Sequence, residues 1–371
     1  MAADRQGAGG PGGILPDRTI RRMIDNRQIV LGMDADADQV QPASLDLRLG
    51  RVAYRVRASF LPGAARTVHD CLGDVALHEV DLRAGAVLET GCVYIVPLIE
   101  ELRLPDHIAA DANPKSSTGR LDVFTRVIAD RARAFDKIEP GYGGPLYLEI
   151  SPRTFPILVR TGSRLSQIRF RRGLGRLDDD ELRALHARAT LASGDQVRID
   201  DGLLVSVDLS GRDGRVGFRA RRHTSVIDVD RRDACDVLDF WDVLPAHGGH
   251  ALILDPNEFY ILASKEAVHV PPDHAAEMVA FDPLVGEFRV HYAGFFDPGF
   301  GHSAAGGSGS RAVLEVRSRE VPFILEDGQT VGRLVYERLA EAPDALYGQG
   351  IGSNYQAQGL KLSKHFRAFA G

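Results

Sequence analysis

The hydrophobic pattern of this chain is mostly that of short strands. Residues 44–50 alternate strictly between polar and apolar positions, which places three leucines on one face of a strand. From there to about residue 172, apolar and β-branched runs such as 93–96 and 146–150 are separated by Gly, Pro and Asp turns. This pattern predicts a β-barrel or sandwich rather than a layered α/β sheet.

Two segments have helical periodicity instead. Between residues 17 and 24, apolar side chains recur at helical spacing behind Asp17. Between about residues 177 and 192 the same spacing follows the acidic run 178–181, which is favourable at a helix N-terminus. We interpret the second helix as a connector between two β domains.

The second half of the chain repeats the first. Glu149 is followed by proline after 7 residues and by glycine after 13, and Glu315 is followed by the same residues at the same distances. The turn 139–144 has a counterpart at 297–301, although the second copy carries an insertion of eight residues, 303–310. Several matches in register indicate an internal duplication. The predicted divisions are a disordered tail (1–13), copy one (14–176), the connector (177–195), copy two (196–345) and a C-terminal closing tail (346–371).

Composition narrows the range of partners. The 371 residues carry a net charge of −6 without a long basic run, so no footprint for nucleic acid is expected. There is no apolar stretch of the roughly 20 residues that a membrane span needs, and the N-terminus lacks the apolar core of a signal peptide. We therefore expect a cytoplasmic protein. The three cysteines are far apart, which argues against a disulfide framework or a zinc site.

Copy one contains two features that could take part in substrate binding or catalysis. Residues 115–120 (KSSTGR) combine hydroxyls and cations around a glycine, which suits a phosphate chain, but the same residues also form ordinary surface turns. Copy two has no equivalent. Glu149 lies in an apolar strand, where burial raises the pKa of a carboxyl toward the range of proton transfer. It could instead face solvent or form a structural pair with an arginine such as Arg131 or Arg133.

These segments together resemble the deoxycytidine triphosphate (dCTP) deaminases of the dUTPase superfamily, in their double-length bacterial form. The resemblance rests on the serines and arginine of 116–120, Ala129 and Arg131, the turn 138–144 leading to Glu149, and Tyr355-x-x-Gln358 in the tail. It implies an all-β dominated fold of two tandem dUTPase-like β-barrels, of the distorted jelly-roll type, with a few short helices. It also implies a homo-oligomer, either trimeric or pseudo-hexameric.

The resemblance implies the following roles. The activity is zinc-independent deamination of dCTP to dUTP, which feeds dUMP and dTTP synthesis, with Mg²⁺ bound to the triphosphate, and dTTP is a further candidate ligand. Glu149 is implied as the group that handles the proton of the attacking water, with Ser116 and Arg120 as its catalytic partners. The implied substrate-binding residues are Lys115, Ser117, Ala129, Arg131, Glu139, Tyr142, Tyr355 and Gln358.

The chain departs from the single-copy family in ways that leave more than one function open. Copy one inserts about six residues, 132–137, before the turn and has Glu139 where the family has aspartate. Copy two keeps Glu315, which is interpreted as a structural remnant, and Asp297, which is compatible with a bifunctional deaminase and dUTP diphosphatase. The pattern also fits a dUTPase or a non-catalytic nucleotide-binding relative. We expect the tail of copy two to cap the site of copy one. Removal of the residues from Gly350 onward should then abolish turnover while leaving the fold intact.

Overall fold

The computed structural model describes residues 12–194, 197–211, 214–246, 250–280, 288–291, 294–318, 320–348 and 358–369. Strands dominate, as the short apolar runs predict, and the helices are few. The elements of the first half are β1 (Gly13–Ile14), α1 (Asp17–Asp25), β2 (Ile29–Leu31), β3 (Val40–Gln41), β4 (Ser44–Arg48), β5 (Val52–Val56), α2 (Val68–Val75), β6 (Ala76–Asp81), β7 (Ala86–Leu88), β8 (Val93–Arg103), β9 (Ile108–Pro114), α3 (Ser116–Gly119), β10 (Val123–Ala129), β11 (Lys137–Ile138), β12 (Gly143–Pro152), β13 (Ile157–Val159) and β14 (Arg164–Arg172).

The second half follows a connecting helix. The remaining elements are α4 (Asp179–Ala189), β15 (Leu203–Ser206), β16 (Arg215–Ala220), β17 (Ile227–Asp228), α5 (Val237–Phe240), β18 (Trp241–Pro245), β19 (Ala251–Leu254), β20 (Phe259–Val268), β21 (His274–Ala280), β22 (Phe288–His291), β23 (Phe295–Phe296), β24 (Ser310–Ser318), β25 (Phe323–Glu326) and β26 (Thr330–Arg338).

Each half contains two main sheets, and the strand orders correspond. In the first half the orders are β11-β9-β14-β4-β3 and β10-β12-β8-β5-β6. In the second half they are β23-β21-β26-β15 and β22-β24-β20-β16-β18. Strand β12 therefore corresponds to β24, and the two repeated glutamates, Glu149 and Glu315, lie on corresponding strands. The sequence repeat is thus reflected in a repeat of strand order.

The helices begin and end near the positions that the periodicity predicts. In α1, Ile20 and Met23 are buried against the first half. The connector α4 begins with a capping box, in which the side chains of Asp178 and Glu181 each accept a hydrogen bond from the other's backbone N–H. Leu182 and Leu185 of α4 are buried and pack against the core of the second half. Gly13, predicted to belong to a disordered tail, instead pairs with β14.

Strand β4 differs from the simple alternation in one respect. Leu45 and Leu47 lie in the core as predicted, yet Asp46 and Arg48 on the other face are also buried. Arg48 pairs with the buried Glu100 at 2.7 Å, and Asp46 pairs with Lys115. Charged side chains can occupy this face because each has an opposite charge within hydrogen-bond distance.

The two halves share a continuous core. Strand β17 of the second half adds in parallel to β13 of the first, with Ile157 opposite Ile227. The fully buried Trp241 packs edge-to-face on Phe155 of the first half, with ring centroids 5.3 Å apart. The halves are therefore joined by apolar burial and not only by the connector.

The C-terminal segment 358–369 belongs to this shared core, which corrects the expectation that the tail can be removed without harm to the fold. Leu362 and Phe366 are both buried in the cluster that joins the halves. The Phe366 ring contacts Phe240 and Trp241 edge-to-face, at 5.5 and 5.8 Å between centroids. His365 hydrogen-bonds the Val229 carbonyl through Nε2 at 2.9 Å. Residues 349–357 and 370–371 of the tail lie outside the described residues.

None of the helices in the described ranges combines the length and the apolar character that crossing a bilayer requires.

Candidate active site

A cavity of about 130 Å³ lies where the first half, the second half and the C-terminal segment meet. Its walls are built from residues far apart in the sequence. The first half contributes Lys115, Ser116, Ser117 and Arg120; the second half contributes Phe295, Phe296, Asp297 and Glu315; the C-terminal segment contributes Gln358 and Lys364.

The serine and arginine side of the cavity is fixed by the C-terminal segment. Arg120, which is 3% exposed, donates from Nη1 to Gln358 Oε1 at 3.1 Å and to the Lys361 carbonyl at 2.9 Å. Ser363 Oγ donates to the Ser117 carbonyl at 2.8 Å. The segment after copy two therefore packs on the phosphate-binding element predicted in copy one, as a capping tail requires.

Glu315 projects from β24 into the same cavity. Its neighbours Leu314 and Val316 are fully buried, and its own side chain is 5% exposed. Burial raises the pKa of Glu315 well above its usual range, although the positive charge of Arg120 opposes the increase. A buried carboxyl next to a guanidinium is a type of group that accepts and returns protons in enzyme active sites.

The turn at Asp297 forms the third wall. Asp297 pairs with Arg169 from β14 of the first half, with 3.0 Å between Arg169 Nη2 and the carboxylate. Burial raises the pKa of Asp297, and Arg169 opposes the increase. The neighbouring Phe295 and Phe296 line the cavity and give this side an apolar surface.

Glu149 does not line this cavity with Ser116 and Arg120. Its carboxylate pairs with the cross-strand Arg126, at 3.0 Å from Nε and 2.6 Å from Nη2. The Arg126 guanidinium stacks on Phe135 at 3.4 Å from the ring centroid. Glu149 thus has a structural arginine partner, although the partner is neither Arg131 nor Arg133.

The insertion 132–137 packs beside this pair. It supplies Phe135, which covers the Arg126 guanidinium, and Asp136, whose carboxylate accepts a hydrogen bond from the Val127 amide at 2.7 Å. Burial raises the pKa of Asp136 to about 7. The insertion therefore packs over the Glu149 region of copy one rather than forming a wall of the shared cavity.

The remaining predicted site residues fall into two groups. Lys115, Ser117 and Gln358 line the shared cavity with Ser116 and Arg120, and Tyr355 lies outside the described residues. Four residues line a separate crevice of about 800 Å³ beside the turn of copy one. They are Ala129, Arg131, Glu139 and Tyr142.

The Tyr142 hydroxyl in that crevice forms its hydrogen bonds within the local turn. It donates to the Pro145 carbonyl at 2.6 Å and accepts from the Asp130 amide at 3.1 Å. Burial raises the pKa of Tyr142 to about 12. The substrate-binding set inferred for copy one is therefore divided between two places, because the serine and arginine element faces the other half of the chain.

A signal in the sequence points to the second-half residues that the cavity contains. Copy two passes from residues 293–294 directly to the turn Asp297-Pro298-Gly299, with the aspartate of the family and without the insertion found in copy one. Glu315 follows on the next strand. Copy one departs from the family at the turn and copy two departs at the serine and arginine element, so each half retains what the other lacks.

Comparison with known proteins identifies the family of the chain. The sequence models of the N-terminal and C-terminal domains of 2'-deoxycytidine 5'-triphosphate deaminase match residues 11–174 and 178–366. The chain belongs to the dCTP deaminase family. Both family domains are present in order, and their junction falls immediately before helix α4.

Relatives within the dCTP deaminase family match in sequence and in structure. The dCTP deaminase of Haloarcula marismortui is 31% identical over 160 residues, covering 42% of this chain and 79% of the relative. A "dCTP deaminase, dUMP-forming" of Beutenbergia cavernae is 34% identical over 158 residues, covering 42% of this chain and 78% of the relative. The crystal structure of the 2'-deoxycytidine 5'-triphosphate deaminase of Agrobacterium tumefaciens is 64% identical, with a TM-score of 0.86, and the match covers 88% of this chain and 99% of that one.

Proposed function

We propose that the protein hydrolyses dCTP to dUTP and ammonia in the cavity between its two halves. The observation that carries this proposal is the meeting of Glu315 from one half with Ser116 and Arg120 from the other. Family membership supplies the substrate class, and the cavity supplies a proton-transfer group next to hydroxyl and guanidinium donors.

Glu315 takes the role that the resemblance implies for Glu149. Its carboxylate takes one proton from water as the oxygen adds to cytosine C4 and passes it to N3. The second water proton then moves from the C4 hydroxyl to the exocyclic amine, the C4–N bond breaks, and ammonia leaves as the C4 carbonyl forms. Arg120 holds the negative charge of Glu315 in a buried setting, and the Ser116 hydroxyl orients the water. The raised pKa of Glu315 supports this role because the carboxyl can gain and lose a proton within one reaction cycle.

The triphosphate would lie toward the cationic side of the cavity. Lys115, Arg164, Arg232 and Lys364 line it there, together with Asp38 and Asp46. Arg164 pairs with Asp38 at 2.8 Å, and Lys115 pairs with Asp46. With both aspartates engaged, Mg²⁺ would be held mainly by the substrate phosphates and water, as is usual for this ion. Among the described residues, no three His, Cys, Asp or Glu side chains are grouped as metal ligands.

The geometry also supports two proposals about architecture. The corresponding strand orders support a duplication of one dUTPase-like β unit. Because both halves of one chain line the cavity, a single chain supplies all of the described site residues. We therefore propose one such site per chain, between its own two halves.

A bifunctional enzyme that releases dUMP and pyrophosphate is the second candidate. Asp297 lines the cavity at the turn, and relatives from Beutenbergia cavernae and Corynebacterium glutamicum are named "dUMP-forming". An aspartate at this turn is what the resemblance requires for the diphosphatase reaction.

One assay distinguishes these functions. The purified full chain is incubated with dCTP and Mg²⁺, and ammonia, pyrophosphate, dUTP and dUMP are measured. Ammonia and dUTP in equal amounts are the expected result. Additional pyrophosphate and dUMP identify the bifunctional enzyme, and nucleotide binding without any product identifies a sensor and contradicts the proposed deamination.

Lys364 gives the proposed site a pH dependence at its basic end. Burial, with the nearby charges of Lys115 and Arg232, lowers the pKa of Lys364 to about 8. The ammonium is therefore lost as pH rises through about 8, and kcat/KM for dCTP should fall there because a charge-assisted contact to phosphate disappears.

Steady-state kinetics between pH 6.5 and 9.5 measure this effect. Lys364→Met should lower kcat/KM at pH 7 by about tenfold or more and remove the decline near pH 8. Lys265→Met serves as the control, since Lys265 pairs with Asp327 outside the cavity. An unchanged pH profile in Lys364→Met contradicts the prediction.

A further inference from the structure

Two buried arginine–aspartate pairs cross the interface between the halves in opposite directions. Arg169 of the first half reaches Asp297 of the second, and Arg317 of the second half reaches Asp122 of the first. We propose that these pairs are positioning devices that hold the two parts of the site in register, with Arg317 setting Glu315 against Arg120 and Arg169 setting the Asp297 turn. The inference rests on the proposed function and adds residues that do not themselves carry the chemistry.

Arg317 is placed to control Glu315. The two residues are two positions apart on β24, so their side chains leave the same face of the strand. Asp122 in turn lies two residues after Arg120 and is fully enclosed, with 1% of its surface exposed. The Arg317–Asp122 pair therefore joins the strand that carries the proposed base to the segment that carries its arginine partner.

Further hydrogen bonds fix the orientation of this pair. Thr154 Oγ1 donates to Asp122 Oδ2 at 2.5 Å and accepts from Arg317 Nη2 at 2.9 Å. Arg317 Nη1 donates to the Asn257 carbonyl of the second half. The guanidinium is thus bound by both halves at once, which limits sliding of one half against the other.

Arg169 holds the opposite wall in a comparable way. It is 1% exposed and donates to the Ala276 carbonyl at 3.1 Å and to Asp297 at 3.0 Å. Its guanidinium lies 4.1 Å from the centre of the Phe295 ring. One side chain from the first half thus contacts strand β21, the turn and an aromatic wall of the cavity.

A role in stability alone does not account for the placement of these pairs. Buried ion pairs add little net stability compared with well-packed apolar residues, because desolvation offsets their attraction. Proton transfer, however, depends on placement to within a fraction of an ångström, and a misplacement of about 1 Å can cost ~10²-fold in rate. Both pairs lie within two residues of groups that line the cavity.

The same interface offers a more exposed pair as a control, with the side chains of Arg160 and Asp228 37% and 17% exposed. Arg160, which follows β13, pairs with Asp228 of β17 through two hydrogen bonds, at 2.8 and 2.9 Å, and neither residue lines the cavity. Arg160→Gln removes a cross-half pair without touching the site, so it reports the effect of weakening the interface alone.

The experiment compares Arg317→Gln, Arg317→Lys, Arg169→Gln and Arg160→Gln by kcat, KM for dCTP and thermal melting. Arg317→Gln should lower kcat by about 10–100-fold with a smaller change in KM, and Arg317→Lys should restore part of the loss. Arg169→Gln should raise KM more than it lowers kcat, because it loosens the cavity wall that would face the cytosine ring of the substrate. Arg160→Gln should lower the melting temperature while leaving both constants near wild type.

A pH profile separates positioning from general destabilisation. Without Arg317, the Asp122 charge acts more strongly on Glu315, so the acidic limb of kcat/KM should move to higher pH. If Arg317→Gln fails to fold, the double variant Asp122→Asn with Arg317→Gln removes both charges; kcat should still fall, but the acidic limb should not move to higher pH, because Asp122 no longer raises the pKa of Glu315. Loss of activity in Arg160→Gln equal to that in Arg317→Gln, or an unchanged kcat in Arg317→Gln, overturns the inference. Absence of ammonia release by the wild-type chain refutes the proposed function instead.

Discussion

Glu315→Gln should lower the rate of ammonia release from dCTP by roughly 10²–10⁴-fold, the usual contribution of a general acid–base group. The amide keeps the size of the side chain but cannot take a proton from water. Since Glu315 is buried beside Arg120, the substitution removes the carboxylate at the proposed proton-transfer position and alters little else in the cavity. Ammonia release at saturating dCTP measures the effect, and nucleotide binding should persist.

Glu149→Gln is the matched control, because it makes the same change at the corresponding position of the other half. Glu149 is paired with Arg126 and does not line the cavity, so its variant should retain nearly the wild-type rate per folded molecule. Some loss of stability is expected, since Arg126 keeps a partly buried charge without its full partner. The reverse outcome, an inactive Glu149→Gln and an active Glu315→Gln, assigns the chemistry to the first half and contradicts the proposed site.

Phe366→Ala should lower the free energy of unfolding by about 3–5 kcal/mol, the usual cost of removing a large buried aromatic side chain. The ring fills a position between Phe240 and Trp241, and the segment around it also supplies the bonds to Arg120 and Ser117. Activity at 25 °C should fall as well, since loosening this segment removes partners of the proposed phosphate side. Thermal and urea unfolding measure the change.

A second substitution in the same segment has an internal control. Leu362→Ala removes a side chain that is 7% exposed and should cost about 2–5 kcal/mol. Leu174→Ala makes the same change at a side chain that is 96% exposed and should leave the unfolding curve unchanged. Equal unfolding curves for the two variants would mean that residues 358–369 contribute no core, contrary to their packing in the fold. Truncation before residue 358 should therefore impair folding as well as turnover.

The strand pattern and the connector helix could be inferred from the sequence because they depend on local periodicity, and the repeat could be inferred because the same spacings occur in both halves. Alternation in 44–50 predicts β4, the acidic run at 178–181 predicts the start of α4, and the spacings from Glu149 and Glu315 predict corresponding strands. The family was also accessible, since its motifs are read in order along the chain.

The choice between the two repeated glutamates was not accessible to the same reasoning. Spacing treats Glu149 and Glu315 as equivalent, and proximity in sequence favours the one in the copy that carries Ser116 and Arg120. The fold brings the serine and arginine element of one half against the strand of the other, so the functional neighbours are almost 200 residues apart. A local pattern carries no information about which surfaces of two similar domains meet.

The sequence by itself determined the mostly β fold and the family, because these follow from strand periodicity and from motifs that stand in order along the chain, and it predicted a duplication and a phosphate-binding element. The tertiary structure alone decided that Arg126 pairs with Glu149 while Glu315 lies in the cavity, and that residues 358–369 are core as well as cap. The physical reason is that the pKa and the partner of a buried carboxyl depend on whatever packs against it, and here most of those neighbours come from the other half of the chain.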